Sequence, residues 1–276
     1  MTRRKVGGMA PTTHLVHVFP DGPGGGNPAP IVLDADPMSD EEMREVARTH
    51  GQESAFVLSA EPPFDFALRF WVPNHEMPMC GHATVGAVHT LHRLGLLAKD
   101  RLTISTPSGP VDALITDGNV EISQPQGTVA TVPTTDVVNV LGITAADLAP
   151  YPIQNASTSR VKTLIPLASP KILDGLTPDF ARVRELCDEL GSTGLYPYAQ
   201  SGDQAFDARQ FPRSSGYPED PATGIAAAAL AYGLLENRLI DPERPIHVRQ
   251  GRAMGRPSRI TLRLTPTNLW LGGAVS

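Results

Sequence analysis

Two short loops, one in each half of the chain, carry residues whose types and spacing could do chemistry. Cys80-Gly81-His82-Ala83-Thr84-Val85-Gly86-Ala87 is echoed by Asp220-Pro221-Ala222-Thr223-Gly224-Ile225-Ala226. Each copy has a titratable side chain, then Ala-Thr, then a small-residue helix opening. Helix N-termini attract anions through their unpaired N–H groups and the helix dipole. A carboxylate held between two such ends would have the acidity of its α-carbon raised by the local positive field. A base on one side and an acid on the other could then move a proton. Glu53, His82 and Asp220 are chemically suited to divide those roles, and a thiolate at Cys80 near a helix start would be a further participant. Chemistry of this kind needs neither metal nor organic cofactor. No cluster with zinc spacing and no Walker-type phosphate loop occurs in the chain; the glycines at 22–26 run into Asn27-Pro28 and read as a turn.

Each of these residues also has a plainer reading. Asp220 followed by Pro221 is an ordinary N-cap with proline at the first helical position. His82 could be polar surface, Glu53 a solvated loop carboxylate, and Cys80 a small buried filler. Cys187 falls on the inward rhythm of a helix, which favours core packing. The combination in one chain favours chemistry over four coincidences.

The elements that must position these residues can be read from periodicity and punctuation. Residues 1–12 read as a loose leader, and Leu15–Phe19 and Ala29–Leu33 as paired strands. Ser39 and Glu42 form a capping-box signature opening a helix that stops at Gly51. Strands follow at 53–58 and 66–72, then a helix over 83–94 with Val85, Val88, Leu91 and Leu94 inward and Gly95 as its stop. A strand meander covers 101–123, turning at Asp117-Gly118-Asn119. The stretch 127–135 is short of large apolar side chains and reads as a linker. In the second half, 163–167 is strand-like, and Thr177-Pro178 caps a helix with Phe180, Val183, Leu186 and Leu190 inward. Strands at 204–211, 245–249 and 260–264 surround a helix over 221–237 that is apolar nearly all round, hence buried on every side. The repeated motif and the repeated strand–helix order indicate duplication, with domains at 13–126 and 136–276 and a last strand that could cross back to the first.

Bulk properties remove several function classes. A net charge of −6 with no Lys/Arg run argues against a nucleic-acid partner. No apolar run approaches the roughly 20 residues of a membrane span, and no apolar segment follows the basic start at Arg3-Arg4-Lys5. Two cysteines make no disulfide framework, so a reducing, cytoplasmic setting is the expectation.

Five motifs in order resemble the phenazine-biosynthesis PhzF-like isomerase family, within the diaminopimelate epimerase-like superfamily. These are His17-Val18-Phe19 with Gly26-Asn27-Pro28; Glu53-Ser54-Ala55-Phe56-Val57; Glu76-Met77-Pro78-Met79 leading into Cys80-Gly81-His82; Glu219-Asp220-Pro221-Ala222-Thr223-Gly224; and Gln250-Gly251 with Met254-Gly255-Arg256-Pro257-Ser258. The resemblance implies an α+β fold of two pseudo-symmetric domains, each a curved, mostly antiparallel sheet around a central helix, with a site in the cleft between them. It implies a cofactor-independent isomerase, usually a homodimer, that moves a proton on a small carboxylate-bearing metabolite. Glu53 matches the acid/base, His82 and Asp220 the supporting polar pair, and Gly81 and Gly224 backbone donors to substrate. Asn27, Cys80 and Ile225 complete the expected substrate-binding set. Ile225 stands where the family commonly has serine, which points away from the phenazine substrate. Cys80 sits where epimerases and racemases of the superfamily keep one of two catalytic thiols, while Asp220 takes the other's place. A Cys80-dependent epimerase or racemase and a non-catalytic ligand-binding relative are the competing readings.

Overall fold

The computed structural model describes residues 11–133 and 136–276, so the leader expected over 1–12 and the end of the expected linker lie largely outside the described residues. The chain divides into two compact units, the first holding residues 27–123 with 272–276 and the chain up to Pro20, the second holding 21–26 and 124–271.

In the first unit the strands are β1 (Thr12–Val18), β2 (Asn27–Leu33), β3 (Ser54–Leu58), β4 (Phe66–Trp71), β5 (Glu76–Met77), β6 (Arg101–Thr106), β7 (Gly109–Thr116) and β8 (Asn119–Gln124). Pairing is mixed: β1 with β2 and β3 with β4 are antiparallel, whereas β2 with β3 and β4 with β6 are parallel. Helix α1 (Asp40–His50) has the expected capping box between Ser39 and Glu42 and ends on Gly51 in the left-handed region. Helix α2 (Gly81–Arg93) has nearly every residue of its first three turns buried. It can lie this close to the sheet because Gly86 has no side chain: a Cβ there would come within 3.1 Å of Val16 and Val18. Leu94, expected inward, is instead 44% exposed, because the helix ends at Arg93 and the chain turns outward at Gly95.

The second unit contains β9 (Thr128–Thr131), α3 (Val137–Leu141), β10 (Gln154–Ser157), β11 (Val161–Pro166), α4 (Pro170–Asp174), α5 (Phe180–Glu189), β12 (Gly194–Gly202), β13 (Ala205–Ala208), β14 (Phe211–Pro212), α6 (Gly224–Glu236), β15 (Ile246–Gln250) and β16 (Ser258–Leu264). Strand β17 (Leu269–Gly273) begins in this unit. Pairing again alternates, antiparallel for β12 with β13 and β15 with β16, parallel for β11 with β12 and β13 with β15. Helix α6 is alanine-rich and buried almost throughout. Its small side chains let strands approach on several sides: a Cβ on Gly233 would strike Leu164, and one on Gly224 would strike Leu271. With strands of both senses and few helices, the class is α+β, as expected.

Three local expectations need correction. Residues 128–131 of the expected linker form β9, which pairs with β10; small and β-branched residues suffice for an outer strand whose hydrogen bonds come from the backbone. The cap of α5 is Asp179, whose carboxylate accepts from the N–H of Ala181, so Thr177-Pro178 lies outside the helix and Phe180 is 48% exposed. Helix α6 starts at Gly224 with Thr223 as its N-cap, three residues after the Asp220 taken for the cap.

Gly251 follows β15 at φ +77°, and a Cβ there would lie 2.2 Å from the carbonyl oxygen of Arg256 and 2.7 Å from that of Pro221. Gly191 also has positive φ but open space around it. Gly251→Ala is therefore expected to cost more than about 2 kcal/mol in denaturant unfolding, against about 1 kcal/mol for Gly191→Ala. Equal losses would show that the packing around Gly251 yields freely.

Candidate active site

In the first unit, two segments converge on one cluster. Glu53 stands between the Gly51 stop of α1 and the start of β3, whose Ala55, Phe56 and Val57 are wholly buried and fix the strand. Cys80 is the N-cap of α2, in extended conformation, and makes no side-chain capping bond. His82 is the second residue of that helix. The loop entering α2 is anchored by Arg69, whose Nε and Nη2 bind the Glu76 carboxylate at 2.6 and 2.8 Å. Ser108 adds backbone and hydroxyl bonds to the Pro78 carbonyl, and Thr84 Oγ1 donates to the Cys80 carbonyl at 2.7 Å.

The Cys80 thiol donates to Glu53 Oε2 at 3.0 Å and lies 3.3 Å from His82 Nδ1. His82 Nδ1 is 3.5 Å from the same carboxylate oxygen. Cys80 and His82 are buried, and the Glu53 side chain is 12% exposed. Burial holds His82 below its ordinary value of 6.5, partly opposed by the Glu53 carboxylate. Geometry agrees: Nε2 of His82 is buried with no hydrogen-bond partner among the described residues, so a second ring proton there would be an unsatisfied donor. The first N–H groups of α2 have no intrahelical acceptor, and their partial positive charge favours an anion beside them.

In the second unit, Asp220 is buried and bridges to Gln210 through its backbone. Its carboxylate accepts a hydrogen bond from the Thr223 hydroxyl. Gln250 clamps the same loop: its Nε2 donates to the Asp220 carbonyl at 2.6 Å and to Thr223 Oγ1 at 3.2 Å, and its Oε1 accepts from the Thr223 N–H and from Tyr196 OH at 2.9 Å. Burial, with Asp220 adding to it, pushes the Tyr196 phenol well above its ordinary range, so it stays a donor. Ser258 Oγ donates to the Pro221 carbonyl at 2.6 Å. Next door, Arg209 and Glu219 form a buried bidentate pair at 2.9 and 2.7 Å, and Arg209 also donates to the carbonyls of Leu173 and Leu176.

Glu53, Cys80 and His82 thus meet in one cluster, with Gly81 between the last two. Asn27, the first residue of β2, is buried in the same unit. Asp220, Gly224 and Ile225 belong to the second unit, and Ile225, second in α6, occupies the place His82 has in α2. By helix start, Cys80 corresponds to Thr223 rather than to Asp220, so the sequence echo is out of register by three. Sequence reasoning missed Arg209, Tyr196 and the clamping role of Gln250. Gln250 and Ser258 had been noted only as a closing motif, and nothing in local pattern signals that Arg209 pairs with a residue ten positions on.

Residues 16–270 match the family described as phenazine biosynthesis-like protein. The chain is 31% identical to the uncharacterized isomerase YddE of Escherichia coli (strain K12), over 93% of this chain and 91% of that protein. It is also 31% identical to the trans-2,3-dihydro-3-hydroxyanthranilate isomerase of Pseudomonas aeruginosa, over 90% of this chain and 88% of that one. The crystal structure of a PhzF-family phenazine biosynthesis protein from Bacillus anthracis superposes with a TM-score of 0.86 at 25% identity, covering 97% of both chains. A hydroxyproline epimerase from Agrobacterium vitis shares the fold, with a TM-score of 0.66 at 14% identity. The motifs in the sequence, the α+β architecture and these relatives agree: the chain belongs to the PhzF-like isomerases of the phenazine biosynthesis-like family.

Proposed function

We propose that the protein catalyses a cofactor-independent proton shift on a small carboxylate-bearing metabolite, moving a double bond, with Glu53 as the proton carrier. The observation that supports this best is the contact of Glu53 with Cys80 and His82 at 3.0 and 3.5 Å, beside the start of a buried helix. The Glu53 carboxylate takes a proton from the allylic carbon, the electron pair shifts through the double bond, and the same carboxyl returns a proton to the distal carbon. Nothing is oxidised or reduced, and the enzyme ends as it began. Neutral His82 holds and orients the substrate, and the N–H group of Gly81 at the start of α2 holds an anionic oxygen. In the second unit, Ile225 at the start of α6 favours a more apolar ligand than serine would. A cytoplasmic homodimer is the assembly that accompanies this reading.

The Pseudomonas relative's substrate is the first compound to try. With trans-2,3-dihydro-3-hydroxyanthranilate, Glu53→Gln is expected to lower kcat by about 10²–10⁴-fold, the usual worth of a general acid/base. Cys80→Ala should stay within about tenfold of the parent, on the same scale. The reverse pattern would establish the second reading, a Cys80-dependent epimerase, which the thiol's place beside both Glu53 and His82 favours.

His82 gives a pH prediction. Its folded-state value lies below the unfolded 6.5, so the unfolded chain binds more protons as pH falls. The stability this residue contributes is fully present above 6.5 and is lost as pH drops through the folded value. Thermal unfolding from pH 7.5 to pH 5 should show a larger fall in Tm for the parent than for His82→Asn. Parallel curves would mean that His82 is not held neutral.

A further inference from the structure

Glu53, Cys80 and His82 offer one oxygen, one sulfur and one nitrogen that all lie within 4.8 Å of one another. We propose that this triad is a binding site for a Zn²⁺-class divalent ion, and that the ion is an inhibitor rather than a cofactor. The inhibitory consequence rests on Glu53 being the proton carrier; the binding does not.

The donor set and its spacing carry the argument. The edges of the triangle are 3.0 Å from Sγ to Oε2, 3.3 Å from Sγ to Nδ1 and 3.5 Å from Nδ1 to Oε2. Zn–S bonds of about 2.3 Å and Zn–N and Zn–O bonds of about 2.0–2.1 Å in tetrahedral geometry require edges of roughly 3.3–3.6 Å. The 3.3 and 3.5 Å edges already lie in that range, and only the Sγ–Oε2 edge must open, by roughly half an ångström. One thiolate, one imidazole and one carboxylate suit Zn²⁺ or Co²⁺, while Mg²⁺ and Ca²⁺ prefer all-oxygen sites. Three protein ligands leave the fourth position to a water or a ligand oxygen. The N-terminal partial charge of α2 opposes a cation, but two full negative charges on sulfur and carboxylate outweigh about half a positive one.

Binding breaks the Cys80 S–H bond, forms an S–Zn bond and releases that proton to solvent, while neutral His82 ligates through Nδ1 and carries its ring proton on Nε2, with no change of oxidation state. The same event ties up the Glu53 lone pair, so the carboxylate can no longer take a proton from carbon. Spacing along the chain could not reveal this site, because Glu53 is 27 residues from Cys80.

The test is titration of the chelator-stripped full chain with Co²⁺, read by absorbance. One equivalent should give a thiolate-to-cobalt charge-transfer band with the visible bands of a four-coordinate site, and Zn²⁺ should abolish both. Cys80→Ala should lose the charge-transfer band. Cys187→Ala should keep it, since Cys187 is a core thiol pushed up to about 11 by burial. Glu53→Gln, which leaves the sulfur in place, should keep the band and weaken Co²⁺ affinity at least about tenfold. Absence of the band in the parent protein, its survival in Cys80→Ala, or unchanged affinity in Glu53→Gln would overturn the site. If the band forms but Zn²⁺ leaves turnover intact, the metal site stands and the role of Glu53 falls.

Discussion

The contact on which the site depends is that of a carboxylate, a thiol and an imidazole in a place largely closed to water. Each alone would be costly to bury; together they share donors and acceptors, and the low local dielectric strengthens their coupling. The contact exists because α2 begins just after Cys80 and is buried from its first turn. That burial depends in turn on small side chains, above all Gly86 against Val16 and Val18. A serine or aspartate cap would have given α2 about 1 kcal/mol. Cys80 leaves the cap unfilled and turns its sulfur to Glu53 and His82 instead.

The second unit uses a different device for the same kind of task. Thr223 caps α6 by position, but its hydroxyl binds the Asp220 carboxylate rather than the helix. Gln250 then has all its side-chain hydrogen-bonding directions engaged on that loop and on Tyr196. The neighbouring Arg209–Glu219 pair is buried, so removing either partner would strand a charge, typically at a cost of about 3–5 kcal/mol. A loop held this way keeps its carboxylate in one orientation, which is what a positioning role requires.

What could be read from the sequence follows from the range of the forces involved. The start and stop of α1 were legible because Ser39, Glu42 and Gly51 act within one turn of the chain. The two motif helices were legible from small-residue runs, and the family from five motifs in order. Errors arose where a local signal had two uses. Asp220-Pro221 has the pattern of a helix cap, yet the chain runs through it before α6 begins, because Asp220 is spoken for by Gln210, Thr223 and Gln250. Thr177-Pro178 has the same pattern and lost to Asp179. Strand β12 was missed because Gly194, Pro197 and Gly202 disguise a strand whose first six residues are all buried. The Glu53–Cys80–His82 cluster is a product of tertiary structure: residue chemistry suggested its members, but no spacing along the chain shows that they touch.

The account places proton transfer on one carboxylate rather than on the thiol beside it. Exchange of substrate hydrogen with solvent reads that step directly, even where net turnover is slow. In D₂O, the parent protein should exchange deuterium into its carboxylate substrate at the carbon that loses the proton, and Glu53→Gln should show none above background. Exchange that persists in Glu53→Gln and disappears in Cys80→Ala would contradict the assignment and give the chemistry to sulfur.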